Sequence, residues 1–307
     1  MSANPVTSGD DAIALSSIVA GAWRMADWGW TPQQRLRWIE QTVELGIITF
    51  DHADIYGDYG VETLFGEALA LRPALRDQLQ LVDKCGIRLV SARRPGHRIK
   101  SYDTSREHIV ASVEESLRAL RTDRLDLLLI HRPDALMDAA EVAETFAALK
   151  RQGKVLRFGV SNFMPWQFDL LESALGAYGE HLVTNQIELN PLHVQPLHDG
   201  TLDQAQRLAR RPMIWSPLAG GQLLANPPAH DATRRVQDVL RGLAEAHRVS
   251  TATLAVAWLL RHPSRPIPVM GSRRVDALRE ALAAYDVRLS REEWYALWQA
   301  GRGHEVP

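Results

Sequence analysis

The chain has 307 residues, 46% of them apolar, with 35 basic and 37 acidic side chains and a formal charge of −2. That length admits one α/β barrel or two smaller domains, and the charge balance argues against a nucleic-acid-binding protein, which carries a basic excess. The single cysteine, Cys85, rules out an intrachain disulfide and argues against a thiolate metal cluster, which fits a reducing cytoplasm. The opening MSANPVTSGDDA has neither the basic start nor the apolar core of a signal peptide. No run of 18 apolar residues marks a spanning helix, so no membrane partner is expected.

Eight short apolar runs follow in chain order: 16–21, 47–51, 79–84, 125–131, 155–161, 182–188, 212–216 and 266–271. Near-continuous runs such as Leu125 to Ile130 predict strands buried on both faces, as in a parallel sheet covered by helices. Between them lie stretches with helical spacing. Thr31 followed by Pro32 reads as an N-cap with proline at the first helical position. TSRE from Thr104 has the capping-box pattern and opens a helix to about Arg121, with Ile109, Val113, Leu117 and Leu120 on one side. Further helices are expected over 139–152, 164–176, 199–210, 233–247 and 275–284, with an extra one at 290–301. Parallel strands need such crossovers. The pattern predicts a single-domain (β/α)8 TIM barrel over residues 16–307, behind an N-terminal tail of residues 1–15. The alternative, a doubly wound open sheet, is weakened because no G-x-G-x-x-G follows the first run.

In a barrel, chemistry sits at the C-terminal ends of the strands. Those ends carry Asp51, with Tyr56 in the loop beyond it, then Lys84, His131, Ser161 with Asn162, Asn185 to Glu188, Trp215 with Ser216, and Gly271 with Ser272. The first four make chemical sense together. A free tyrosine titrates near 10, too high for an efficient acid at neutral pH. An ammonium beside it stabilises the phenolate and is expected to lower that value. Asp51 would keep Lys84 charged, Lys84 would face Tyr56, and Tyr56 would protonate a substrate oxygen that His131 orients. Singly, each has a plainer reading: a satisfied buried tyrosine, a structural ion pair, a packed histidine. The conjunction at three consecutive strand ends favours function.

These segments resemble the aldo-keto reductase family, closest to a bacterial branch of oxidoreductases. FDHADIYGDYGVETLFGEAL (50–69) is similar to its tyrosine motif, LVDKCGI (81–87) to its lysine strand and LDLLLIHRPD (125–134) to its histidine strand. GKVLRFGVSNF (153–163) and TNQIELNP (184–191) resemble its Ser-Asn and glutamine segments. The resemblance covers residue 16 to the C-terminus. It implies a metal-free NADP(H)-dependent reductase of small aldehydes or ketones, with Tyr56 as general acid and Lys84, Asp51 and His131 around it. It further implies that Ser161, Asn162 and Gln186 hold the nicotinamide carboxamide and that Trp215 stacks on the ring. Gly21, Ala22 and Trp23 would lie near ring and ribose, and Ser216, Leu218, Gly220 and Gly221 would line the pyrophosphate channel. At the adenosine end, Gly271, Ser272 and Glu280 match the family pattern. Ala277 and Ala281 stand where many members have arginine and asparagine, which leaves NAD(H) open beside NADP(H). Arg273 and Arg274 supply guanidinium groups suited to a 2′-phosphate, or are solvated charges at a helix entry.

Trp23, Trp28 and Trp30 follow the first strand; Trp23, together with Trp28, is expected to wall the substrate pocket, the plainer alternative being that they pack the loop down. The stretch 88–103 carries five basic residues, Arg88, Arg93, Arg94, Arg98 and Lys100, before Asp103. It reads first as a solvated loop and second as an attractor of anionic substrates. None of the eleven histidines forms an HxxxH pair with a glutamate between, so no metal site is expected. His52 is expected to pack behind the mouth, His193 and His198 to lie at the surface, and Cys85 to be buried and inert. Two other functions remain open: a cofactor-binding redox-sensing protein of the same fold with slow turnover, and a barrel isomerase or aldolase using Lys84 as a Schiff-base amine. A monomer or weak homodimer is expected, since nothing in the sequence forces an interface.

Overall fold

The structure is a computed structural model that describes residues 13–306. Its strands are β1 (Val19–Gly21), β2 (Thr49–Asp51), β3 (Gln80–Cys85), β4 (Ile87–Arg88), β5 (Ser101–Tyr102), β6 (Leu127–Ile130), β7 (Phe158–Ser161), β8 (Leu182–Glu188), β9 (Met213–Trp215) and β10 (Ile267–Met270). Eight of them close into a barrel in the order β1-β10-β9-β8-β7-β6-β3-β2, every neighbouring pair parallel. All eight coincide with the expected apolar runs. The antiparallel hairpin β4–β5 stands apart from the barrel. It was not expected, because two-residue strands in a basic loop carry no apolar period.

The helices are α1 (Pro32–Glu44), the single turn α2 (Tyr56–Tyr59), α3 (Val61–Leu69), α4 (Arg106–Leu120), α5 (Ala139–Arg151), α6 (Pro165–Gly176), α7 (Thr201–Arg207), α8 (Asp231–His247), α9 (Thr251–Leu260), α10 (Val275–Ala283) and α11 (Arg291–Arg302). Thr31 caps α1 reciprocally with Gln34, and Pro32 takes the first position. The cap of α4 is Ser105, whose hydroxyl accepts from the His108 amide, and not Thr104. Thr104 is buried and donates to Asp134 instead. One helix lacks an amphipathic signature. In α9 every residue from Thr253 to Leu259 is buried, so it has no polar face to mark a period. The nine-residue α3 packs on α4 at Gly66, where a Cβ would lie 2.0 Å from the Ala119 carbonyl oxygen.

Strand alternation divides the core. Leu127 and Leu129 cluster with Val19, Val82, Met213, Ile267 and Val269, whereas Leu128 and Ile130 belong to the larger cluster shared with the helices. Leu15 joins the first group and is buried, so the chain is already packed before the first strand begins. Residues 1–12, most of the expected tail, and residue 307 lie outside the described residues. α11 flanks α8 and stacks Trp294 on Trp258 of α9, with ring centroids 5.2 Å apart. The two indole nitrogens donate reciprocally to each other's backbone carbonyls.

Candidate active site

Asp51 ends β2 in register with Gly21 of β1 and Val82 of β3. Lys84 lies two residues beyond Val82 and therefore points the same way, toward the C-terminal mouth. Its ammonium, fully buried, donates to Asp51 Oδ2 (2.8 Å), to the His52 carbonyl (2.6 Å) and to Tyr56 Oη (3.0 Å). Those three bonds use all three ammonium donors. Gln186 of β8 reaches across the barrel and donates to the other Asp51 oxygen at 2.7 Å. The carboxylate is thus held from two sides and cannot turn from the lysine.

Burial penalises the Lys84 charge, but the Asp51 carboxylate and the Tyr56 oxygen outweigh it and raise its pKa above the ordinary lysine value. Tyr56 departs from expectation. Lys84 pulls its pKa down, yet desolvation is the larger effect and the phenol is pushed up to about 12. It is a protonated donor at neutral pH, and the lysine limits a penalty that burial would otherwise make larger. His131, at the end of β6, stands edge-on to the Tyr56 ring, with centroids 6.0 Å apart. Burial, followed by the charges of Lys84, Arg132 and Lys100, lowers its pKa well below the usual imidazole value, so the ring is neutral. A neutral imidazole keeps one N–H to donate. Its Nδ1 is buried without a hydrogen-bond partner among the described residues.

The residues expected to hold a cofactor form a second connected group. Trp215 Nε1 donates to Asn162 Oδ1 (2.9 Å), Asn162 Nδ2 to Ser161 Oγ (2.8 Å), and Ser161 Oγ to the Gln186 carbonyl (2.8 Å). Asn162 adopts a left-handed φ of 61°, which asparagine tolerates, and this turns its amide toward the indole. Gly21 and Ala22 are buried beside Asp51, with the Ala22 amide donating to the Asp51 carbonyl. Trp23 is 56% exposed over the rim. Trp28 packs between Trp30 and Trp38, with centroids 4.8 and 5.1 Å away, contacts that hold the loop down. The loop after β9 carries Ser216 and Leu218, then Gly220 and Gly221 at φ 66° and 101°, backbone that favours glycine. An indole face, amide groups beside it and a glycine turn with no Cβ over it fit a nicotinamide dinucleotide.

At the far end, Ser272 Oγ accepts from the Arg274 amide, and Arg274 pairs with Glu280 at 3.4 Å. Glu280 also accepts from Ser250 of the α9 cap. Arg273 has no acidic partner among the described residues, so of the two arginines it is the available one, while Arg279 pairs with Asp276. Gly271 stands beside Gly21 at the mouth. His52 packs on Phe65 behind the site, and its pKa falls to about 3 through burial. Burial likewise raises the Cys85 thiol.

Two mouth residues were missed. Arg24 stacks on Trp23 and donates to the Gly220 carbonyl at 2.9 Å, joining the first and seventh barrel loops. Arg132 lies over the Trp215 ring, 5.5 Å from its centroid. Each directly follows a residue the sequence did single out, Trp23 and His131, and that adjacency was the available signal.

A closed parallel barrel that gathers a buried lysine, its carboxylate and a protonated tyrosine at the C-terminal mouth has the architecture of a barrel enzyme. More narrowly, the chain belongs to the aldo/keto reductase family, whose profile matches residues 17–301. It is 46% identical to the oxidoreductase YdhF of Escherichia coli, over 95% of this chain and 96% of that one. It is 42% identical to a 6-dehydroglucose reductase of Agrobacterium fabrum, over 96% and 97%. The glycerol dehydrogenase structure from Gluconobacter oxydans superimposes with a TM-score of 0.81 at 25% identity, covering 95% of this chain and 93% of that one. These similarities make the chain an oxidoreductase of a family that acts on small carbonyl compounds. No helix among the described residues is long and apolar enough to cross a membrane.

Proposed function

We propose that this chain is an NADP(H)-dependent reductase of aldehydes or ketones in which Tyr56 is the proton donor. The observation that carries the reading is the continuous chain from Asp51 through Lys84 to Tyr56, at 2.8 and 3.0 Å, buried at the barrel mouth. A bound nicotinamide supplies the hydride. The protein's own work is to orient the carbonyl and to give its oxygen a proton. Tyr56, protonated at neutral pH, holds that proton at its Oη. When it leaves, the phenolate faces a fixed ammonium and needs no solvent to stabilise it. His131, kept neutral, donates to the same carbonyl oxygen and fixes its direction. Trp215, steered by Asn162, offers the aromatic face, and Ser161 with Gln186 closes the polar side. Arg273 would meet a 2′-phosphate.

The test is Tyr56→Phe assayed by NADPH oxidation with a panel of aldehydes. Removing a positioned general acid should cut kcat by about 10²–10⁴-fold. The NADPH dissociation constant, read by quenching of tryptophan fluorescence, should stay near the parent value. A phenylalanine variant that keeps most of its turnover would end this mechanism.

A further inference from the structure

The same mouth carries charge that the proposed chemistry does not use. Arg132 follows His131 directly, is half-buried, and places its guanidinium over the Trp215 ring. Lys100 stands just before β5, in the hairpin that leaves β3 one residue after Cys85. Both lie close enough to His131 to oppose its protonation. Neither has a carboxylate partner among the described residues, although neighbouring cations do. In the Lys100 loop, Arg88 pairs with Asp103 and Arg94 with Glu115. Asp134, three residues beyond His131, accepts from Thr104 and from the Leu136 amide. Exposed Arg93 and Arg98 also lack carboxylates and extend the positive field.

A half-buried guanidinium without a counter-ion, beside the group that meets the carbonyl oxygen, is costly unless an anion arrives with the ligand. Guanidinium groups recognise carboxylates by paired, charge-assisted hydrogen bonds. We propose that Arg132, assisted by Lys100, forms an anion-binding rim of the substrate pocket, so that this enzyme prefers carbonyl substrates bearing a carboxylate or a like anionic group. The proposal rests on the carbonyl-reductase reading given above. Trp215 supports the guanidinium itself by a cation–π contact, and the N–H groups of a stacked guanidinium lie at its edge, where a carboxylate can meet them.

The test compares 4-carboxybenzaldehyde with its uncharged methyl ester at saturating NADPH, in the parent protein and in Arg132→Met and Lys100→Met. The parent should favour the acid by about tenfold in kcat/KM at low ionic strength, mostly through KM. Arg132→Met should bring the acid-to-ester ratio close to one, and Lys100→Met should reduce it less. Salt should narrow the parent's ratio, since screening reaches about 8 Å at 0.15 M. A parent ratio near one, or a ratio that Arg132→Met leaves unchanged, overturns the proposal, even where that variant slows both substrates. If neither aldehyde is reduced, the reductase reading fails and calorimetry decides the rim alone. Selective binding of 4-(hydroxymethyl)benzoate over its methyl ester by the NADP-loaded protein, lost in Arg132→Met, supports the rim. Equal binding of the two overturns it.

Discussion

Asp83 and Lys84 are consecutive on β3, each 1% exposed, and their side chains point to opposite sides of the barrel wall. Lys84 enters the mouth, where a carboxylate, a carbonyl and a phenol take up its donors. Asp83 enters the layer between strand and helix, where no cation pairs with it and the groups within reach are the Glu62 carboxyl, the Ser116 hydroxyl and the Lys84 amide. It faces Glu62 of α3, with Asp54 nearby, and burial raises the pKa of all three carboxyls. One position therefore keeps its charge at complete burial, while the next sits in a carboxyl cluster that burial pushes toward the protonated form. The difference lies in partners, since depth is equal. A buried ion persists when the fold supplies a counter-ion and fills its hydrogen bonds, and otherwise neutralises. The mouth thus keeps charge in a dry place, as the proposed proton transfer requires.

Removing the counter-ion breaks that contrast most severely. Asp51→Asn leaves the Lys84 ammonium buried without a carboxylate, and stability should fall by about 3–5 kcal/mol, measured by urea denaturation. The second substitution Lys84→Met, made on that background, should restore part of the loss because it removes the stranded charge. If Asp51→Asn alone is as stable as the parent, the ion pair does not hold the mouth together.

The outer face answers to pH instead. Carboxyls with raised folded pKa keep protons that the unfolded chain releases near pH 4. Their contribution is therefore full below about pH 4 and declines as pH rises toward the folded values. His52 acts in the other direction. Its folded pKa of about 3 lies below the unfolded value, so stability is lost as pH falls below about 6.5. Asp83→Asn mimics the neutral acid and should flatten only the alkaline decline, by up to about 1.4 kcal/mol per pH unit for one retained proton. Urea midpoints measured from pH 5 to 9 would show it. An unchanged alkaline slope would mean that Asp83 is ionised in the fold.

This contrast also marks what the sequence could convey. The eight barrel strands were legible because burial on both faces leaves apolar runs such as 127–130. The mouth was legible because strand ends are fixed in a barrel, so Asp51, Lys84 and His131 could be assigned to it before any distance was known. α9 was not legible, since a helix buried all round has no period. The raised pKa of Tyr56 was not legible either. Its sign depends on how far burial outweighs Lys84, and a residue string carries the neighbour but not the depth. Arg132 was passed over because the histidine beside it had already accounted for the motif.

The weakest expected effect concerns paired and unpaired charge at the exposed adenosine end. Arg274 is engaged by Glu280, which Ser250 also holds, whereas Arg273 is exposed and without an acidic partner. If NADP(H) is the cofactor, the 2′-phosphate should draw on the arginine that gives up no existing ion pair. Arg273→Ala should then weaken NADPH binding about fivefold, the upper range for one exposed charge contact, and leave NADH binding nearly unchanged. Arg274→Ala should do less, because it also frees Glu280 to repel the phosphate only from behind its bond to Ser250. Fluorescence titration of both variants with both cofactors separates the cases. Equal losses for NADPH and NADH would place Arg273 on the shared part of the dinucleotide, and a larger loss from Arg274→Ala would mean that its pair with Glu280 opens when the cofactor binds.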